Sequence, residues 1–589
     1  MKYSIPRKCD NFSEIDGILY FAQRLEEMLF DYTVDLFRMP LLNTHGLIKE
    51  YCSVTKKVEK NEVREYQRDI VFEEFSASFK SDIVIKECWG QDNIDRILKS
   101  FGSSSKQEKN DTIAYLNATF DNGKYYYWCV DTIKKYVRLP KQKKKIEATI
   151  RCWVSEILSM GYNSDYIYNE LKKHFFSNGK ITESSVDDFL DIFNFEYHKY
   201  TVYFSVSNIA LKFKEILEKR IRLCFNNDGN FSLFKKDKDK VIVYFEDIKA
   251  PCPNIAAEIA YNRLDLFFSF YKFVGNKRFF SIQKKAMIIE EQQSPIFVNA
   301  HKFSYNIIDD TDFAKIGATS DNLLTGLLIN AESEYSLLRK SIELHNTALA
   351  VPDLKSGFLN LWSSIEVLCQ PKNEGNKFEY VLKNVIPILK KEYLYSVIED
   401  IIKCLKDNLP KCKYEEVLGL SNEIGCDIKK IFYLLFLPQY KEERKKIYGI
   451  LGDFPVLRSR IACIAELDTT KKVKEYVGKY AQRVTWHLYR MYRTRNAIIH
   501  SGEVPHNIKY LGEHLHAYVD ATLEEFVTKL SGDIPFDSTN NVIMDIKFAT
   551  ERIDNILEKD QKIDEKILDV LIHPEIGYTI QCKEHISNL

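Results

Sequence analysis

The stretch from Ala481 to His500, AQRVTWHLYRMYRTRNAIIH, constrains this chain more than any other, and Ser501, Gly502 and Pro505 follow close behind it. Its apolar positions Trp486, Tyr489, Met491, Ala497 and Ile498 recur at roughly helical spacing. Gly502 and Pro505 supply a stop just past the end. The last turns hold Arg490, Arg493, Arg495, Asn496 and His500. Arg495 and His500 have four residues between them, an R-x4-H pattern. An imidazole and a fixed cation held together are what cleavage of a phosphodiester needs when no metal takes part.

Helical geometry limits how these groups can meet. At about 100° per residue, Asn496 and His500 lie about 40° apart on the helix surface, and Arg493 and His500 about 20° apart. Arg495 lies about 140° from His500, so the two share a pocket only if the helix end distorts or the arginine stem curls round. A plainer role competes with catalysis. The helix dipole favours cations in a last turn by about 0.3–1 kcal/mol each.

A second stretch lies upstream, Phe358-Leu-Asn-Leu-Trp-Ser-Ser-Ile-Glu-Val-Leu368. The order F-x-x-L-W-x-x-I-E-x-L, a long interval and R-N-x-x-x-H-S-G resembles the HEPN superfamily, and within it the ApeA-like branch, over roughly residues 330–530. The resemblance implies a helical-bundle endoribonuclease that needs no metal and no cofactor. The ribose 2′-OH would attack the adjacent phosphorus, leaving a 2′,3′-cyclic phosphate and a 5′-OH. Arg495, Asn496 and His500 would be the catalytic residues: His500 moving the proton, Arg495 stabilising phosphoryl charge, and Asn496 binding phosphate or orienting the imidazole. Arg493 and Arg490 would contact RNA phosphates. Glu366 would either support the site or pair with a facing arginine. The resemblance further implies a homodimer with a composite cleft, RNA (tRNA among the candidates) as substrate, and a role in antiphage abortive infection, with the N-terminal region sensing a phage-derived trigger. A non-catalytic HEPN module that binds RNA, nucleotide or a partner protein is the alternative. A toxin paired with a nucleotidyltransferase is disfavoured, because Gly502 stands where that subgroup's R-x4-H-x-Y pattern has tyrosine.

Composition narrows the rest. The 589 residues carry 84 basic and 84 acidic side chains, so any polyanion site must come from local clustering. Such a cluster runs from Lys471 to Lys509, where nine Lys and Arg less two Glu leave +7. Thirteen scattered cysteines include no CxxC pair, and Cys404, Cys412 and Cys426 are too irregularly spaced for zinc. No metal ligands are expected, and reduced thiols in a cytoplasmic protein are. The opening MKYSIPRKCDNFSEIDG lacks an apolar core and reads as no signal peptide. Apolar runs such as 264–270 and 431–438 are too short to span a bilayer, so no membrane partner is expected.

The expected fold is α+β and mainly helical, a mixed α/β N-terminal region followed by a C-terminal HEPN bundle. Residues 1–325 form the N-terminal part, with a sub-boundary near 101–110 in the polar run GSSSKQEKND. Residues 326–532 form the bundle, with a helical insertion at 372–468, and 533–589 a helical tail. Helices are expected over 15–37, 146–176, 323–350, 354–369, 378–409, 428–436, 456–467, 510–530 and 548–557. Strands are expected at 202–209 and 241–248, turns at 226–230, and a hairpin turning at Gly275-Asn276 between Phe270 and Phe280. The basic runs at 134–145 and 235–240 read as solvated loops, and the aromatic run 125–128 as core packing. Trp362 and Trp486 are assigned to the core, His514 and His516 to the surface or to packing.

Overall fold

A computed structural model describes residues 2–574 apart from 6–7, 10–14, 31–32, 34, 122, 178–179, 226–239, 276–280, 292, 301–304, 306–334, 352, 370–376, 532–535 and 537. The described chain is mainly helical, with one five-stranded antiparallel sheet and a two-stranded parallel pair. Residues 16–190 are nearly all helical, so the N-terminal region is a helical block followed by a sheet rather than an α/β alternation.

That sheet runs in the order Cys224–Phe225, Lys240–Ala250, His198–Ser207, Lys285–Glu290, Ile296–Asn299. Both strands read from alternation are present. Tyr200, Val202, Phe204 and Val206 point to one buried face, the period of two that a half-buried strand requires. Helix Pro253–Gly275 covers that face through Ala256, Ala257, Ala260 and Leu264. The expected hairpin does not form as drawn, because Phe270 belongs to this helix. The 226–230 turn lies outside the described residues, as do 235–239 and the start of the helix expected at 323–350, whose described part is Tyr335–Ala350.

The polar run after Phe101 is no domain boundary. Ser105 accepts from the Glu108 amide while the Glu108 carboxylate accepts from the Ser105 amide, a capping box that starts helix Lys106–Phe120 directly after Gln91–Ser103. The basic run at 134–145 is ion-paired rather than simply solvated: Lys134 and Arg138 meet Asp187, Lys135 meets Glu87, and Lys144 meets Glu466. Tyr125 and Tyr126 are buried, as core packing requires, and Tyr127 is exposed.

Two long helices tie the halves together. Lys377–Asn408 buries Phe378, Val381 and Val385 against helices Leu354–Leu368 and Ile508–Ser531, then Leu394, Ile398 and Leu405 in the core of the N-terminal helices. Thr470–Ser501 likewise contributes Val473 and Val477 to the second of these cores and Tyr480, Val484, Leu488, Met491 and Ile498 to the first. Those spacings of three and four make one apolar stripe. The stripe passes beside Trp486, which is half-buried, whereas Trp362 is fully buried against Phe378 and Tyr492. Helices 394–467, within the expected insertion, thus share a core with residues 15–193. Among the described residues no helix is long and apolar enough to cross a membrane.

Candidate active site

The helix Thr470–Ser501 stays α-helical to its last residue, so the distortion that would swing Arg495 round to His500 is absent. Thr469 caps its start by accepting from the Lys472 amide. Gly502 closes it at φ +70°, and the Gly502 amide donates to the Ile498 carbonyl at 3.2 Å. A left-handed residue is needed there, and glycine takes that conformation without a Cβ clash.

Arg495, Asn496 and Glu366 come together. The Arg495 guanidinium donates to Asn496 Oδ1 at 3.0 Å and lies 3.8 Å from a Glu366 carboxylate oxygen on the facing helix Leu354–Leu368. Asp353 caps that helix, accepting from the Ser356 amide at 2.8 Å. Arg495 keeps 30 % of its side chain exposed, against 16 % for Glu366, so this arginine is only partly covered. Glu366 thus pairs with a facing arginine that is itself one of the candidate site residues.

His500 shares its side of the helix with Asn496, one turn back, but joins no hydrogen bond or ion pair of this trio. It is exposed in the last turn and makes no hydrogen bond or ion pair among the described residues. Ile499 and Val504, both about half exposed, flank it. Ser501 Oγ donates back to the Ala497 carbonyl, and Glu503 pairs with Lys57 of the N-terminal block.

Arg490 and Arg493, expected as phosphate contacts, are engaged elsewhere. Arg490 is 4 % exposed and donates twice to Glu50, at 2.9 and 2.7 Å, and once to Glu74 at 2.6 Å. Arg493 donates to Glu50 at 2.9 Å and to Gln67 Oε1 at 3.0 Å. The acids come from helices Thr44–Glu59 and Glu65–Ser81. Burial would raise the Glu50 carboxyl, but the two guanidiniums outweigh it and hold the group at about 2. Burial raises Glu74, which meets Arg490 alone and faces the charge of Glu50. Both arginines therefore fasten the long helix to the N-terminal block.

The +7 cluster dissolves in the same way. Seven of its nine cations find acids distant in sequence or one turn away: Lys472 with Asp468, Lys474 with Glu558, Arg483 with Asp35, Arg490 and Arg493 with Glu50, Arg495 with Glu366, and Lys509 with Asp165.

A buried polar network escaped the sequence reading. His514, 2 % exposed, bonds Asp35 through Nδ1 and packs at a tilt against His487, whose Nδ1 meets the Tyr518 hydroxyl at 2.9 Å. Burial lowers the His487 pKa well below the ordinary range, with help from the charge of His514. The one available signal was histidine at the core-facing positions of two adjoining helices. Among the cysteines, Cys404 is buried while Cys412 and Cys426 are exposed, and all three are free thiols.

No family model, no curated protein and no solved structure matches this chain.

Proposed function

We propose that this chain is a metal-independent HEPN-type endoribonuclease whose catalytic residues are Arg495, Asn496 and His500. The observation that carries the reading is the meeting of its two sequence motifs. The F-x-x-L-W-x-x-I-E-x-L helix packs against the R-N-x-x-x-H-S-G helix, with Glu366 facing Arg495 and His500 exposed at the end. Glu366 and Asn496 hold the guanidinium and leave its outer edge for a phosphoryl oxygen. His500, unengaged, moves the proton of the 2′-OH or of the leaving 5′-oxygen. Arg495 and His500 lie on different sides of one regular helix. On this reading in-line transfer takes Arg495 from one protomer and His500 from the other, across a twofold axis. The clamp through Arg490 and Arg493 makes the N-terminal block the element through which a phage-derived trigger would act on this helix, in an abortive-infection role.

The test is purified protein incubated with total RNA and tRNA in EDTA. Cleavage leaving 2′,3′-cyclic phosphate is expected; 3′-OH ends would exclude attack by the 2′-OH. A second reading, a non-catalytic module that engages a partner protein, is favoured by the neutralised +7 cluster, which leaves little field to attract RNA. Neither binding nor cleavage of RNA by the wild type, and no change on His500→Ala, would select it.

A further inference from the structure

Helix Tyr335–Ala350 and helix Ile508–Ser531 pack against each other, and where they meet three ligating side chains converge. His345 Nε2 lies 3.1 Å from His516 Nε2, 2.8 Å from Asp520 Oδ1, and Asp520 Oδ2 lies 3.2 Å from His516 Nε2. His516 and Asp520 are one turn apart on a single helix, so both reach the same side. Among the described residues this is the one group of three such side chains whose ligand atoms all lie within 4.8 Å of one another.

Protons alone satisfy this arrangement poorly. If both Nε2 atoms carry hydrogen, two N–H groups face each other across 3.1 Å. If only one does, the other imidazole turns a lone pair towards both its neighbour and a carboxylate. A single divalent cation accepts all three lone pairs at once. Tetrahedral coordination with bonds of about 2.0–2.1 Å puts ligand atoms about 3.3 Å apart, close to the spacings seen.

We propose that His345, His516 and Asp520 form a binding site for a first-row divalent transition-metal ion, with zinc the fitting case. Two imidazoles and a carboxylate are a borderline donor set of the kind zinc takes. His516 is buried at 6 % exposure and His345 is partly covered, while Asp520 at 49 % leaves the remaining coordination positions to water. The ion clips helix Tyr335–Ala350 onto helix Ile508–Ser531. None of the three residues belongs to the Arg495–His500 machinery, so the site stands whether or not the chain cleaves RNA.

The experiment is Co2+ titration of the full chain after EDTA treatment and dialysis, followed by absorption and competed with Zn2+. One Co2+ per chain is expected, with weak visible d–d bands, no intense thiolate charge-transfer band, and displacement by one Zn2+. His345→Gln should abolish uptake. Asp520→Asn, at an exposed position that leaves the fold intact, should weaken it by at least about tenfold. No stoichiometric uptake by the wild type, an intense thiolate band, or variants that bind as the wild type does would each overturn the site.

Discussion

Two stretches of one helix use the same residue types to opposite ends. In the stretch from Arg483 to Arg493 the guanidiniums, buried at Arg490 and partly covered at Arg483 and Arg493, are matched by Asp35, Glu50 and Glu74 from the N-terminal block. In the stretch from Arg495 to His500 one guanidinium is partly exposed and the imidazole has no partner among the described residues. A covered cation whose fork is paired with carboxylates acts as a fastener. A cation held on one edge keeps hydrogen-bonding capacity for a ligand. Position along a helix is thus a poor guide to role, and what faces each side chain decides it.

The contrast breaks if the inner arginines prove dispensable to the fold. Arg490→Met strands the half-buried Glu74 and leaves Glu50 to Arg493 alone, and a loss of about 3 kcal/mol is expected in urea unfolding. A loss under about 1 kcal/mol would mean that the clamp is not what holds the helix.

Asp35 sharpens the same side. Burial raises its carboxyl, but His514 and Arg483 prevail and hold it at about 2, below the usual 3.8. The folded value lies below the unfolded one, so the stabilisation is full above 3.8 and is lost as pH falls through that value towards about 2. Asp35→Asn should therefore remove on the order of 2 kcal/mol at neutral pH and flatten the acid limb of a thermal-stability profile. An unchanged acid limb would show that the pairing with His514 and Arg483 is not formed in solution.

The smallest effect belongs to the outer end. At Gly502 an added Cβ would meet nothing within 4 Å, so Gly502→Ala costs backbone strain alone. About 1 kcal/mol is expected from thermal unfolding. A gain in stability would show that the helix does not end in the left-handed cap at φ +70°.

What was readable in the sequence was local. The long helix, its glycine stop and two of the five sheet strands announce themselves within a dozen residues. The capping box at Ser105 and Glu108 is equally local, but its polar composition suits a loop as well as a helix start. Phe270 was misplaced because an apolar run beside glycine suits a hairpin as well as the end of a helix. The fates of Arg490 and Arg493 depend on acids more than 400 positions earlier, which no window on the helix can contain. His345 and His516 are 171 positions apart, and only the His516–Asp520 spacing on one helix hinted at shared ligation.

The most direct measurement is single-turnover cleavage of total RNA by His500→Ala beside the wild type, both checked for equal melting temperature and oligomeric state. The exposed imidazole contributes nothing to packing, so the variant should fold normally and cleave about 10²–10⁴-fold more slowly. Cleavage by the variant at the wild-type rate would contradict the assignment of the site to the outer end of the helix.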